Sequence, residues 1–436
     1  MPLARFAAAH SGRTPHRDRQ SEPSTSPNTD HEARPGPVGR WKFWAAAYAL
    51  LILLTGTNLP TPLYRSYEAQ FGFSPLVVTL IFAAYVVALI PSLLVAGPLS
   101  DAIGRRKVLL PAVALAALGS VVFAFAADTE WLFAARVMQG LALGAASGPL
   151  TASLAELEPA GNRRKAALVS TVASMGGLGL GPVLAGLLAQ YAPAPRVLPF
   201  VVEIVLLVPA AAVIVSMPGN RSATRWRPRR PDIPAAMRAI FATSGTASFL
   251  AFAVIGLFLT LIPTYVVTLS GSENLLLGGA AVALMLVCSV LAQLVSYGKP
   301  ARTLELIGLP CLAAGLVLLA LAGGLSSLTL LLIATVVAGI GQGLAFLGGL
   351  TAVSQAAPAD RHAEVLSSFY VIVYLGVGLP VISVGFLATV AGLLAAVQYF
   401  AGVVALLCVI VLIVLLRVRH RVPAIKVAAP AVTAGD

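Results

Sequence analysis

Apolar and polar positions alternate along this chain in long blocks rather than with a short period. Apolar runs of about 20 residues recur, and an α-helix of that length crosses the hydrocarbon core of a membrane. The pattern predicts an all-α polytopic membrane protein with twelve transmembrane helices. The predicted spans cover residues 43–63, 75–96, 107–126, 131–154, 165–188, 197–217, 245–269, 275–297, 303–323, 327–354, 365–388 and 392–416.

Basic residues separate the two faces of this arrangement. With the N-terminus inside, 26 of the 29 Lys and Arg residues fall in inside segments, and only Arg65 and Arg196 fall outside. Short loops rich in Lys and Arg stay on the cytoplasmic side. We therefore expect a multi-pass protein of the cell inner (plasma) membrane with both termini in the cytoplasm.

Residues 218–244 form the one long internal polar segment, and they divide the spans into six plus six. The predicted organisation is a disordered cytoplasmic N-tail, a six-helix half, a basic linker, a second six-helix half and a cytoplasmic C-tail. Their bounds are 1–42, 43–217, 218–244, 245–417 and 418–436. The string Gln-Gly-Leu-Ala at Gln139 recurs at Gln342, and Pro182 recurs as Pro380, which indicates that the halves are repeats.

Composition excludes several functional classes. Hydrophobic residues make up 58% of the chain and charged residues 11%, with a mean hydropathy of +0.90, far from the balance of a soluble domain. The net charge of +12 is spread over short loops and tails, so we expect no nucleic-acid partner. The five histidines lie in tails or one loop, and the three cysteines have no metal-ligand spacing. We expect no metal, no cofactor and no enzymatic activity.

The stretch from Gly97 to Leu110 reads GPLSDAIGRRKVLL. It resembles the loop between helices 2 and 3 of the major facilitator superfamily, G-x-L-x-D-x-x-G-R-R/K. The matching positions are Gly97, Leu99, Asp101, Gly104, Arg105 and Arg106. The alternative is an ordinary basic hairpin. The resemblance implies the major facilitator fold, with two pseudo-symmetric six-helix halves around a central cavity that opens alternately to each side.

In that family the loop acid forms part of a conformational latch on the cytoplasmic side. The resemblance implies that Asp101 braces the start of span 11 near Glu364, with Arg105 as its partner and Glu156 completing the cluster. A carboxylate is favourable at a helix N-terminus because of the exposed N–H groups there. The simpler interpretation is a solvated loop acid.

Span 5 contains Gly177, Gly181, Pro182 and Gly186, similar to the antiporter-associated motif G-x-x-x-G-P-x-x-G-G, although Ala185 replaces its penultimate glycine. Small residues four apart also serve ordinary helix packing in membranes. Together with the 2–3 loop, this resemblance favours an exporter over an importer.

Charged groups within the spans are scarce. Arg136 is the only base inside a span, and Arg136-Val-Met-Gln139-Gly resembles a family motif, R-x-x-Q-G, whose arginine takes part in proton transfer. Glu203 is the only acid predicted well inside a span, at a depth comparable to Arg136, so the two could pair. Span 1 has no carboxylate, although drug/proton antiporters of the family often carry one there. The alternative for Arg136 is snorkelling to the headgroups.

Polar residues on spans 1, 4, 10 and 11 are the candidates for lining the cavity, with hydrogen bonds between helices as the alternative role for each. These residues are Thr55, Asn58, Gln139, Gln342, Tyr370 and Tyr374.

The sequence predicts a secondary active transporter that exports small, mostly apolar molecules by proton antiport. It is expected to work as a monomer, with protons, a small-molecule substrate and the lipid bilayer as its partners. An uptake permease that imports a small metabolite by symport is the first alternative, and a polytopic membrane sensor is the second.

Overall fold

The computed structural model describes residues 37–217, 233–358 and 361–417. The predicted tails, except residues 37–42, and most of the predicted linker lie outside these ranges. Within them every regular element is helical, because a backbone in lipid must satisfy its own hydrogen bonds. The helices are α1 Pro37–Asn58, α2 Tyr64–Phe71, α3 Pro75–Ile103, α4 Arg105–Ala124, α5 Thr129–Leu157, α6 Arg163–Tyr191, α7 Leu198–Ser216, α8 Arg238–Thr260, α9 Ile262–Ser270, α10 Leu275–Val295, α11 Ala301–Gly324, α12 Leu328–Ala356, α13 His362–Ala391 and α14 Leu393–Arg417. Two short 3-10 helices, Thr61–Leu63 and Ala235–Met237, precede α2 and α8.

Twelve of the described helices have between 19 and 30 residues, which confirms the predicted all-α polytopic fold. Eleven of them are both long and apolar enough to cross a membrane. The twelfth, α5, is 29 residues long, but Arg136, Gln139 and several small residues make it less apolar. We refer to α1–α7 as the first half and to α8–α14 as the second half.

The predicted loop between spans 2 and 3 is largely helical. Helix α3 continues through Gly97 and Asp101 to Ile103, and α4 begins at Arg105, so Gly104 alone makes the turn. Gly104 has a φ of +98°, a conformation that side chains with a Cβ rarely adopt. Gly97, in contrast, lies inside α3, and a Cβ there would have no atom within 4 Å.

The bundle has two ends, which we name by their residues. The basic end holds Gly104, the end of α5 at Leu157 and the start of α13 at His362. The opposite end holds the 3-10 helix Thr61–Leu63, Glu273 and Gly392.

Polar contacts join the two halves at the opposite end. Asn274 Nδ2 donates to Tyr191 Oη at 3.1 Å, and the Leu275 amide donates to Gln190 Oε1 at 3.0 Å. Arg65 and Glu273 form an exposed ion pair at 3.7 Å. The Leu76 amide at the start of α3 also donates to Thr389 Oγ1 near the end of α13.

Small residues bring the halves into close contact at the same end. The Gly279 Cα faces the Pro182 carbonyl of α6, and a Cβ at position 279 would stand 2.8 Å from the Pro182 carbonyl carbon. A Cβ at Gly186 would stand 3.0 Å from Leu276 Cα. Toward the basic end, the ion pairs Arg105–Glu156 and Lys165–Glu158 each lie within the first half. The contacts described between the halves therefore close the opposite end.

We predict that Gly279→Val opens the opposite end, because the new side chain would overlap the backbone of Pro182 in α6. The measurement is maleimide labelling of Thr61→Cys, a buried position at the interface, in a background where Cys288, Cys311 and Cys408 are replaced by serine.

Gly402→Val is the control for this measurement, because Gly402 in α14 has no atom within 4 Å of its Cβ position. The prediction expects faster labelling in Gly279→Val than in Gly402→Val. Equal labelling rates would contradict it.

Candidate functional site

Arg136 lies at the centre of a buried polar cluster in the first half. Its side chain is 0% exposed, and the guanidinium is held by three groups from three helices. Nε donates to Tyr64 Oη of α2 at 2.6 Å, and Nη1 donates both to the Thr57 carbonyl of α1 and to Gln139 Oε1 of α5. These internal contacts exclude snorkelling as the role of this side chain in the structure.

Aromatic rings surround the same guanidinium. The Arg136 Cζ atom lies 5.4 to 5.8 Å from the ring centroids of Tyr64, Phe82, Tyr85 and Phe123. Ring faces attract a cation, and the attraction is stronger where water is excluded. The rings therefore compensate part of the cost of removing the charge from water.

Glu203 of α7 reaches the same cluster. It is 2% exposed, and its Oε2 accepts a hydrogen bond from Ser120 Oγ of α4 at 2.5 Å. Its carboxylate also lies against Gly56 of α1, where any Cβ would overlap Oε1. Gln139 Nε2 donates to the Gly56 carbonyl at 3.1 Å, so Gly56 stands between the amide of Gln139 and the carboxylate of Glu203.

Arg136 and Glu203 therefore lie in the same cluster, as expected. The two charges interact electrostatically, but Arg136 Nη1 is occupied by Thr57 and Gln139. Arg136 Nη2 is buried and has no hydrogen-bond partner among the described residues. Span 1 lacks an acid of its own, yet the carboxylate from α7 packs directly on its Gly56.

At the basic end, Arg105 joins two of the predicted latch residues. Its guanidinium forms two hydrogen bonds with the Glu156 carboxylate, at 2.6 and 3.0 Å, and lies 3.6 Å from Asp101 Oδ1. The Asp101 side chain is 61% exposed. The ion pair that the structure describes for Asp101 is this one with Arg105 rather than a contact at Glu364. Arg106 is half-buried next to the turn.

A second acid–base cluster at this end was missed by sequence reasoning. Glu158 accepts from Lys165 Nζ at 2.9 Å and from the backbone amides of Ala160 and Asn162. The hydrogen bond from Lys165 is the main cause that holds the pKa of Glu158 below its ordinary value. This interaction thus stabilises the fold above the ordinary pKa of a glutamate, and the contribution is lost as the pH falls through the lowered value.

The predicted span-5 motif faces two neighbours. Gly177 and Gly181 pack on α1, where a Cβ at Gly177 would stand 2.8 Å from Leu54 Cβ and one at Gly181 would stand 3.2 Å from the Asn58 carbonyl carbon. Pro182 and Gly186 instead contact α10 of the second half. The four residues therefore couple α1 to the contact between the halves.

The structure does not bring the six polar candidates into one open cavity. Thr55 and Asn58 are 1% and 3% exposed, and Asn58 Nδ2 donates to the Leu178 carbonyl of α6. Gln342 is 1% exposed and accepts from Ser289 Oγ of α10 at 2.5 Å. They form hydrogen bonds within or between helices, as does Gln139, because a polar group at membrane depth needs a partner.

Tyr370 and Tyr374 of α13 are the half-buried members of this set. Tyr85 of α3, whose ring centroid lies 5.8 Å from Arg136 Cζ, is next to Val86, and Val86 packs against Gly378 of α13. One path of contacts therefore leads from the second half to the buried arginine. Tyr64, Ser120 and Tyr85 belong to the cluster, but neither charge nor a motif marked them in the sequence.

No group of three or more His, Cys, Asp or Glu side chains in the described ranges is placed to hold a metal ion. The arrangement consists instead of two buried opposite charges and an exposed acid–base latch. The ionisable groups of this arrangement are therefore a buried carboxylate beside a buried arginine and the charged residues of the exposed latch.

We predict that Arg136→Ala lowers the free energy of unfolding by about 3–5 kcal/mol, because it removes one member of a buried set of interacting charges and leaves Glu203 uncompensated. Arg65→Ala is the control, since its exposed ion pair contributes at most about 1 kcal/mol. Denaturant unfolding in detergent micelles measures both. Equal small losses in the two variants would contradict the energetic role assigned to the cluster.

Comparisons with known proteins agree with this geometry. The sequence profile of the Major Facilitator Superfamily matches residues 45–325. Proteins named "Putative multidrug resistance protein MdtD" are similar over part of their length. The one from Cronobacter sakazakii is 32% identical over 155 residues, or 35% of this chain and 32% of that protein. The one from Salmonella typhi is 31% identical over 198 residues, or 45% and 40%. The match thus spans about a third to two fifths of these relatives.

Solved structures share the fold at low sequence identity. A bacterial homologue of the human lysosomal transporter Spinster, in an inward-facing and occupied conformation, has a TM-score of 0.68 and 15% identity, covering 86% of this chain and 96% of the other. The peptide transporter POT in complex with sulfate has a TM-score of 0.69 and 15% identity, covering 87% and 95%.

Proposed function

The chain belongs to the Major Facilitator Superfamily, and we propose that it exports small, mostly apolar molecules from the cell in exchange for protons. Membership makes it a multi-pass membrane transporter of small molecules rather than an enzyme. Efflux, proton coupling and alternating access are the parts that we propose here. The names of the MdtD relatives, which refer to multidrug resistance, support efflux as the direction.

The buried cluster of Arg136, Gln139 and Glu203 is the observation that carries proton coupling. An ionisable residue at membrane depth is costly and is retained where it serves ion or substrate movement. Glu203 has one direct hydrogen-bond donor in the structure, Ser120, and a positive charge close by. Protonation of Glu203 removes its attraction for Arg136, and deprotonation restores that attraction.

The same cluster offers a way for this proton to move helices. Arg136 Nη2 is the part of the guanidinium without a partner among the described residues, so it is available to an ionised Glu203. A closer Arg136–Glu203 pair would pull on Gly56, which separates Glu203 from Gln139. Gly56 lies on α1, and the chain continues from there to Thr61 at the closed opposite end.

We assign the basic end to the cytoplasm, which the distribution of Lys and Arg supports. With this orientation the contacts between the halves lie on the outer side, which supports a state that faces the cytoplasm. In the outward-facing state the basic end closes, and Asp101 would brace the start of α13. We assign contact with an apolar substrate to Tyr370 and Tyr374, and their half-buried side chains support this role. We propose that a monomer carries out this cycle.

Asp101→Asn is expected to reduce transport severalfold while leaving the conformation described here almost unchanged. Asp101 is exposed and its 3.6 Å ion pair contributes at most about 1 kcal/mol here, so a larger effect must come from the state in which the basic end is closed. The measurements are dye efflux and the maleimide accessibility of a cysteine near the basic end. Unchanged transport together with unchanged accessibility would remove the latch from the mechanism.

Everted membrane vesicles test direction and coupling together. In acidified vesicles, addition of a lipophilic dye such as ethidium should release protons from the lumen if the protein is an antiporter. Glu203→Gln should abolish this proton movement, and Arg136→Lys should restore less than the wild type because an ammonium cannot reproduce the planar set of donors.

Glu130→Gln is the matched control in these vesicles, because Glu130 is an exposed acid on the same helix as Arg136. Proton movement with the opposite sign would indicate an uptake permease. Absence of transport for every probe in wild-type vesicles would favour a membrane sensor. Full proton-coupled efflux in Glu203→Gln would exclude Glu203 as the coupling residue.

A further inference from the structure

A second buried carboxylate lies in the second half, where the apolar pattern did not place one. Glu305 is the fifth residue of α11 and is 2% exposed. At 1.5 Å per residue it lies about 6 Å from the start of the helix, at the basic end. Glu305 is thus buried near the end of its helix, whereas Glu203 remains the acid predicted well inside a span.

Two consecutive glycines of α12 form one wall of this site. A Cβ at Gly348 would stand 2.8 Å from Glu305 Cγ, and a Cβ at Gly349 would overlap Ser248 Oγ of α8. The α12 backbone thus fits between α11 and α8, with the carboxylate on one side and the serine on the other. Larger residues at either position would separate these helices.

Two oxygens of this cluster are buried without a partner. Glu305 Oε1 and Ser248 Oγ have no hydrogen bond to any residue in the described ranges. The Ser244 hydroxyl, one turn before Ser248, interacts with the Glu305 carboxyl group. A buried carboxylate oxygen that is ionised and unpartnered is costly, whereas a proton on the carboxyl group removes the charge.

The surrounding charges favour a proton over a metal ion. Arg302, one turn earlier on α11, is the charged residue whose field reaches Glu305, and its Nη2 donates to the Leu415 carbonyl of α14 at 3.0 Å. The residues that meet the carboxyl group from α8 and α12 are serines and a glycine, which do not titrate. Divalent cations need several carboxylates or other oxygen ligands, which one acid beside an arginine does not provide.

We propose that Glu305 is a proton-binding site of the second half, separate from the Arg136 cluster, that exchanges protons with the solution at the basic end. The protonated form tolerates the unpartnered Oε1 seen here. The ionised form would depend on the Ser244 hydroxyl of α8 as its donor. Each change in protonation would therefore alter the contact of α8 with α11 at the basic end.

The site itself does not depend on the proposed antiport, although its role in transport rests on that function. Infrared spectroscopy of the purified protein in lipid nanodiscs tests it without any substrate. Between pH 8 and pH 6 exposed carboxylates are ionised, because their ordinary pKa is about 4. A protonated carboxyl band in this range, shifted by deuterium exchange, reports buried acids.

Glu305→Gln should reduce this band, and the variant should bind one proton fewer per protein between pH 8 and pH 6. The exposed control Glu130→Gln should match the wild type in both measurements. A Glu305→Gln spectrum identical to the wild type would overturn the proposal, because Glu305 would then remain ionised beside Arg302. If Glu305→Gln does not fold, Glu305→Asp should shift the frequency of the band, and an unshifted band would count against the site.

Glu203→Gln separates the two sites. Loss of proton-driven efflux in Glu203→Gln with no Glu305 signal would leave the proposed function intact and remove only the second site. The opposite outcome is also distinguishable. If Glu305→Gln changes the band while Glu203→Gln still couples efflux to protons, Glu305 is retained as a proton-binding site and Glu203 is excluded as the coupling residue.

Discussion

The first half is organised by the need to hold one guanidinium away from water. Arg136 is fully buried, and its charge has to be compensated by neighbours at membrane depth. The compensation comes from a backbone carbonyl of α1, a hydroxyl of α2, an amide of α5, four aromatic rings and the carboxylate of Glu203 on α7. Satisfying this single charge therefore requires most of the first half to adopt its observed arrangement.

The second half packs the corresponding helix without a charge. Gly339 occupies the position that Arg136 holds in the repeat, and it faces the Met285 carbonyl of α10, with a Cβ there standing 3.0 Å from Cys288 Cβ. Glycine allows backbones to approach in lipid, where apolar surfaces gain nothing from leaving water. The halves thus share a fold but obtain their helix contacts in different ways. This difference leaves Glu305 of the second half without a buried arginine cluster like that of the first.

The two ends of the bundle are also held by different interactions. The opposite end is closed by glycine and proline backbones and a few neutral hydrogen bonds, with Arg65–Glu273 as an exposed ion pair. The basic end carries the stronger charge pairs, Arg105–Glu156 and Lys165–Glu158, within the first half. Charge pairs that stay within one half do not oppose separation of the halves. They are available to form new contacts if the basic end closes.

The sequence by itself determined the helical class, the approximate spans, the basic end and the short list of charged residues. These features depend on the hydropathy and charge of residues that are neighbours along the chain. It also identified Arg136, Gln139 and Glu203 as rare groups at similar depth. Only the tertiary structure decided what they contact. Whether Arg136 points to lipid headgroups or to Tyr64 depends on how α2 and α5 pack, and residue spacing does not encode that.

The same distinction explains the errors. The turn after span 2 was predicted too long, because polar residues at a helix end resemble a loop until α3 is seen to continue to Ile103. Thr55, Asn58 and Gln342 were predicted to line a cavity or to form hydrogen bonds, and the structure shows the hydrogen bonds, to Leu51 of the same helix for Thr55 and to neighbouring helices for the other two. Glu305 was not singled out, because it lies only two residues inside the span predicted at 303–323, and its burial follows from the close packing of α11 on Gly348 of α12. Burial and hydrogen-bond partners are properties of packed helices, so only the packed structure determines them.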